Sequence, residues 1–345
     1  MDDVNALVTE AADRLFRDHM SHRLSIEAEA GHFPAAFWEA VEAAGLTLAL
    51  VPEEAGGPGV DPLAAAGLVR RAGYHAVPLP LAETMLANRL LAGFGPQEGV
   101  LSIARAGAGT GLTLRRSGRG WHLSGVAARV PWGRAARLLA VTAQVDGEDL
   151  IACVPCEAQV SPGQNLAGEP RDDLAFDLAL PEAAVRPGGA DLELLGAALR
   201  SLALAGALDR VLDLTTAYVG ERVQFGRTLS KFQAVQQQVA ALAGQVAAAG
   251  GAAGLAAEAF AGAPDAVRIA CAKVRTGEAA GIAAGIAHQM HGAMGYSQEH
   301  SLHLLTKRLW AWREEFGNEA HWSRRLGAAA LHQGADGLWP FIAAA

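Results

Sequence analysis

Glu221-Arg222-Val223-Gln224-Phe225-Gly226-Arg227-Thr228-Leu229-Ser230-Lys231-Phe232-Gln233-Ala234-Val235-Gln236 joins two long apolar helical patterns. Upstream, Leu204, Leu208, Val211, Thr215 and Tyr218 recur at helical spacing, and downstream Val235, Val239, Leu242 and Val246 do the same. The quoted stretch is therefore a connector between helices. Gly226 permits a backbone conformation closed to bulky residues. Arg222 and Arg227 offer planar, multi-donor heads suited to phosphate or carboxylate. On the residues alone, a helix hairpin with a solvated, charged turn accounts for the pattern.

Outward from the connector the chain changes texture twice. Residues 1 to about 95 read as helical. Val4, Leu7, Val8, Ala11 and Leu15 form one stripe, and Phe33-Pro34 opens a helix that turns Phe37 and Val41 inward and stops at Gly45. Leu50-Val51-Pro52-Glu53-Glu54-Ala55-Gly56-Gly57-Pro58-Gly59 is a loop by its Pro and Gly density. From about 96 to 188, short β-rich runs alternate with glycines, at Leu112–Leu114, Trp121–Leu123, Arg137–Val141, Asp149–Val154 and Leu174–Leu180, which predicts a small antiparallel β-domain. Gly107-Ala108-Gly109-Thr110-Gly111 reads as a turn between strands, because no helix follows it. From about 189 to the end the chain is again helical and dense in Gly and Ala, which lets helices approach closely. Pro264-Asp265 starts a helix ending at Gly292, and Ser301 stands where the next would be capped.

Composition narrows the function classes. Of 345 residues, 51% are hydrophobic and 19% charged, as expected of a core-rich globular chain with two or three packed regions. No stretch of about eighteen apolar residues lacks polar breaks, so no membrane span is expected. The acidic start Met1-Asp2-Asp3-Val4 lacks the layout of a signal peptide, so a cytoplasmic location is expected. The net charge of −8 argues against nucleic-acid binding. Cys153 and Cys156 form an isolated C-x-x-C on a strand-like flank, for which reduced thiols are the default. His288 and His291 have helical spacing but no nearby third ligand, so no metal is expected.

Arg-x-Gln-Phe-Gly-Arg-x-Leu-x-x-Phe-Gln-Ala-Val-Gln, at residues 222–236, resembles the helical-turn signature of the acyl-CoA dehydrogenase family. The loop at 51–59, the Phe-Pro-x-x-x-Trp stretch before it, Trp121-x-Leu-x-Gly125 and Gln289-x-x-Gly292-x-x-Gly295-Tyr296 resemble further motifs of that family, so the resemblance covers nearly the whole chain. It implies an α+β fold with an N-terminal helical domain, a small β-domain and a C-terminal helical bundle, with boundaries near 95 and 188. It implies that Arg222, Gln224, Phe225, Gln233, Gln289 and Gly292 contact the diphosphate and adenosine half of FAD across a subunit interface. An acyl-CoA substrate and an electron-transfer acceptor are implied as well.

The same resemblance exposes departures. Family members remove the α-proton of an acyl-CoA with a carboxylate, because that proton is only weakly acidic. The usual base position corresponds here to Phe316, beside Glu315, and the alternative position used by some members corresponds to Gly196, about a turn from Glu193. Arg129-Val130-Pro131 stands where a Trp-x-Thr faces the flavin ring, and Arg105 to Thr110 replaces a Thr-Glu-Pro segment. Ala293 replaces a glycine, and Asn318 and Ala320 replace a Thr and a Gln. Contacts lent to a neighbour are thus kept, while the subunit's own are altered. The expectation is a subunit that completes the FAD site of a related, base-bearing chain, as in heteromeric bacterial members acting on bulky substrates such as sterol side-chain thioesters. The alternatives are a homo-oligomeric enzyme with Glu315, then Glu314, as an atypical base, and a non-catalytic scaffold or acyl-CoA-binding module.

Overall fold

The computed structural model describes residues 2–344, with side chains from Leu7 to Ala343. The chain divides into two compact units: Met1–Ala65 with Pro78–Leu192, and Ala66–Val77 with Glu193–Ala345.

The first unit opens with α1 (Asp2–His19), α2 (His22–Glu29) and α3 (Ala35–Ala43). Ser21 caps α2, its hydroxyl accepting a hydrogen bond from the Leu24 N–H. On α1 the buried positions are Ala12 and Phe16, one residue on from the expected Ala11 and Leu15, while Leu7 is exposed. The ring of Phe16, edge-on to Phe37 at 6.3 Å, sets the rotation of the helix, and Val4 lies outside the described side chains. Pro34 precedes α3 rather than opening it, and Gly45 ends the turn at φ +69. α4 (Pro62–Tyr74) begins in this unit. α5 (Leu81–Leu90) follows, its Thr84 hydroxyl donating to the Leu101 carbonyl at 3.0 Å.

Eight strands follow: β1 (Leu101–Ala106), β2 (Leu112–Ser117), β3 (Gly120–Pro131), β4 (Leu138–Val145), β5 (Glu148–Pro155), β6 (Gln159–Ser161), β7 (Arg171–Pro181) and β8 (Val185–Pro187). They make two four-stranded sheets, ordered β1-β4-β5-β8 and β2-β3-β7-β6. Leu112, Leu123, Val130 and Leu174 of one sheet and Leu139, Val141 and Val154 of the other share one core. The expected antiparallel pairing holds for every pair but one. β1 and β4 run parallel, Leu101 opposite Leu138, because the chain leaves after β1 to build the β2–β3 hairpin of the second sheet and returns in the same direction. Cys153 lies on β5 and Cys156 just beyond it; both thiols are free, and burial raises their pKa values.

The second unit holds the end of α4 and then α6 (Leu192–Glu221) from Glu193 onward, β9 (Val223–Gln224), β10 (Arg227–Thr228), α7 (Gln233–Ala261), α8 (Ala266–His291), α9 (Leu302–Glu314), α10 (Glu319–His332) and α11 (Gly334–Ala344). Small residues permit close contact: a Cβ on Gly206 of α6 would come within 1.8 Å of the Arg70 carbonyl oxygen of α4. Arg70 reaches Asp209 at 2.9 Å and the Tyr74 hydroxyl donates to Asp213 at 2.7 Å. Asp265 caps α8, accepting from the N–H groups of Val267 and Arg268. Ser301 precedes α9 but its side chain makes no capping bond, since its backbone is already helical there. α7 is long and apolar enough to cross a membrane by length and composition, with 28% of its most apolar window buried. It packs along α8, and its outward face carries Ala240, Gly244, Ala248 and Gly251.

Candidate functional site

α6 ends where the motif begins. The Arg222 N–H still donates to Tyr218 O at 2.9 Å, then Val223–Gln224 and Arg227–Thr228 pair as a two-residue β-hairpin. Its tip residues Phe225 and Gly226 both have positive φ, 53° and 80°, as in a type I′ turn. That turn favours Asn-Gly, and a phenylalanine in the left-handed region is uncommon. Phe225 is nevertheless 89% exposed. Arg222, Gln224 and Gln233 are exposed too, and among the described residues their side chains make no hydrogen bond or ion pair. Arg227, by contrast, lies over the Phe232 ring at 4.1 Å.

The second motif forms the exit of α8. Gly292 leaves the helix at φ +59, ψ −143, a conformation open essentially to glycine, and the chain winds into a 3₁₀ turn, Gly292–Tyr296. Gln289 and Gly292 are exposed, while the flanking His288 and His291 are buried. His288 is stacked on Tyr296 at 4.1 Å, with Nε2 2.9 Å from the Thr306 hydroxyl. His291 is stacked on Tyr218 of α6 at 4.4 Å. The two imidazoles thus serve separate aromatic contacts. Desolvation lowers the pKa of both, with His303 adding to it for His288 and His288 for His291.

The third element is the loop between α9 and α10. The Arg200 Nε on α6 donates to Glu315 Oε2 at 2.6 Å, and both side chains are nearly buried, 4% and 10% exposed. Arg313, two residues before Glu315, pairs with Glu319 at 2.9 Å, and Glu315 lies within reach of a residue 115 positions earlier. Glu314 accepts from the Asn318 amide at 3.0 Å, and Asn318 caps α10 by accepting from the His321 N–H. The Lys273 ammonium on α8 donates to Arg313 O at 2.6 Å and Gly317 O at 2.7 Å, clamping both ends of the loop. Desolvation lowers its pKa to about 8 against the opposing pull of Glu319 and Glu315. Trp322 Nε1 donates to Phe316 O at 2.9 Å. Between these ties Phe316 takes φ 53, and its ring fills the space beside Gly196, where a Cβ would lie 2.2 Å from Cδ1. The two positions to which a base was traced are therefore neighbours in space, and one phenyl ring occupies both. Glu193 is engaged elsewhere, with Arg325 at 3.3 Å.

In the β-sheets, Arg129 sits at a bulge of β3, at φ 54, its N–H donating to Asp173 at 2.7 Å. Residues 107–111 form the turn between β1 and β2, closed by the Thr110 hydroxyl on Gly107 O at 2.8 Å. Sequence reasoning missed Arg200 and Lys273. Neither stands in a motif, and only the fold brings them to the loop.

Residues 3–99 match the N-terminal domain of acyl-CoA dehydrogenases and residues 195–330 their C-terminal domain. Acyl-CoA dehydrogenase IpdE2 of Mycobacterium tuberculosis is 31% identical over 77% of this chain and 77% of its own. The chain belongs to the acyl-CoA dehydrogenase family. The protein of the same name from Mycolicibacterium smegmatis is 29% identical over 95% of this chain and 99% of its own. The ChsE4–ChsE5 complex from Mycobacterium tuberculosis contains a chain of the same fold, with TM-score 0.84 and 22% identity over 94% of this chain and 96% of that one. Acyl-CoA dehydrogenases are FAD-dependent oxidoreductases, and the residues present fit one part of that cofactor's requirements. Unpartnered Arg222 and the free amides of Gln224, Gln233 and Gln289 are donors suited to a diphosphate and to base or ribose edges, and open space surrounds Gly292. The acyl-dehydrogenating carboxylate has no counterpart at either expected position.

Proposed function

We propose that this chain is a subunit of a heteromeric acyl-CoA dehydrogenase that completes the FAD site of a related, base-bearing partner, with an acyl-CoA substrate and an external electron-transfer acceptor. The observation that carries the reading is Phe316 against Gly196. A phenyl ring neither accepts a proton nor polarises a thioester, and it takes the room a carboxylate on α6 would need. Glu315, the acid next to Phe316 in the chain, is held in an ion pair with Arg200, whose guanidinium lies 5.6 Å from the Phe316 ring. FAD, when bound, supplies the acceptor for the hydride leaving the acyl β-carbon. This chain's part is binding and orientation. Arg222 would hold the diphosphate with charge-assisted hydrogen bonds. Gln224, Gln233 and Gln289 would fix the adenosine half, with Phe225 covering it from the hairpin tip and Gly292 admitting it closely. Removal of the α-proton falls to the partner. The two-chain assembly named for the ChsE4–ChsE5 structure supports such an arrangement.

Arg222→Ala tests the reading. The exposed side chain makes no hydrogen bond or ion pair, so the isolated variant should unfold as the parent does, within about 0.5 kcal/mol. FAD retained by the assembled complex should fall several-fold. Unchanged FAD content would overturn the assignment.

A further inference from the structure

We propose that Tyr218 and His291 are positioning residues that couple the two arms of the cofactor surface, holding the Arg222–Phe225 hairpin at a fixed distance from Gln289 and Gly292. The proposal rests on the cofactor reading above and adds to it how the two separate motifs are kept in register.

The geometry is specific. Tyr218 lies one helical turn before Arg222, and its carbonyl accepts the Arg222 N–H at 2.9 Å. His291 is the last residue of α8, directly before Gly292. Their rings stack at 4.4 Å and 25°, and the Tyr218 hydroxyl makes a long bond, 3.4 Å, to the His291 carbonyl oxygen. One ring pair therefore ties the end of α6 to the end of α8, each within one turn of a proposed contact residue. A stacked pair of aromatic rings contributes of its own accord beyond the area it buries.

The pair is built for a neutral imidazole. His291 Nδ1 lies 2.8 Å from Ala287 O, so this nitrogen carries the hydrogen and donates. Nε2 is buried with no hydrogen-bond partner. A second proton there would meet no acceptor. The groups around the ring are Tyr218 from α6, His300 at 4.7 Å from the segment before α9, and His288 from α8 itself, none of them a carboxylate. Burial lowers the His291 pKa, outweighing the opposing pull of the Ala287 carbonyl, and His288 lowers it further. The sign follows: the folded state binds fewer protons than the unfolded one as pH falls below the ordinary histidine value of about 6.5, so the contact weakens toward acid pH.

The test combines hydrogen–deuterium exchange on the isolated chain with FAD content of the assembled complex, both from pH 7.5 to 5.5, exchange being corrected for its intrinsic pH dependence. In the parent, protection of residues 222–232 and 289–296 should fall together as pH falls, and FAD content should drop several-fold. His291→Phe keeps a ring in the stack and removes the proton, so both readouts should become flat with pH. Tyr218→Phe should behave as the parent, and Tyr218→Leu should raise exchange in both segments and lower FAD content several-fold at pH 7.5. A parental pH profile in His291→Phe, or unchanged exchange in Tyr218→Leu, overturns the proposal. Coupled exchange with FAD content unchanged in every variant, Arg222→Ala included, overturns the cofactor reading instead.

Discussion

Phe316 and Gly196 are in direct contact across 120 residues of sequence: a Cβ added to Gly196 would lie 2.2 Å from Phe316 Cδ1 and 2.4 Å from its Cγ. The glycine is the complement of the ring. α6 can present its backbone to the phenyl group only because nothing projects from that position, and the ring reaches it only because Phe316 accepts φ 53. A large residue at 316 and none at 196 is a matched pair, and it closes the two positions where a base would be sought.

Gly196→Ala should therefore destabilise the chain by about 1–3 kcal/mol, the range of an overpacked site. Gly196→Ala combined with Phe316→Ala should cost less than the sum of the two single changes, since the second removes the obstacle to the first. Urea unfolding of the four proteins checks this, and additive losses would show that the ring moves aside freely.

Glu315→Gln leaves the Arg200 guanidinium buried beside a neutral amide. The expected loss is about 3 kcal/mol of stability, the scale of a buried pair deprived of one partner. Turnover per folded complex should change only a few-fold. A drop of about 10²–10⁴ with FAD and assembly intact would be the mark of a lost general base and would make this chain its own catalyst.

Lys273 gives a pH signature at the alkaline end. Its pKa, lowered from 10.5 to about 8, means the unfolded chain holds the extra proton between those values. Stability should rise with pH in that window, by at most about 3 kcal/mol for this group. Lys273→Met should lack the rise. The measurement is denaturant midpoints at pH 7.5, 8.5 and 9.5 for both proteins, and parallel curves would assign the lysine an ordinary pKa.

Phe225→Asn should move stability and cofactor retention in opposite directions. Asparagine suits a positive φ before Gly226, so the isolated chain should gain about 0.5–1 kcal/mol. Loss of the exposed ring should lower FAD content in the assembled complex. A variant that is no more stable and no poorer in FAD would remove Phe225 from the site.

How far the sequence reaches is visible in these same residues. The Arg222–Gln236 connector, the Asp265 cap and the Gly292 exit were legible because each depends on neighbours in the chain: a residue that permits a turn, a side chain that reaches its own backbone, a periodicity of apolar positions. The helical, β and helical succession was legible for the same reason, and the motifs' resemblance supplied the family. The tertiary structure alone decided the rest. It paired β1 with β4 in parallel and rotated α1 onto Phe16. It buried Glu315 on Arg200 rather than leaving it beside Arg313, and it set Lys273 on two loop carbonyls. It also brought Gly196 under Phe316 and Tyr218 under His291. Each of these joins residues far apart in sequence, so which side chains meet is fixed by the packing of whole helices and sheets and carries no local signal.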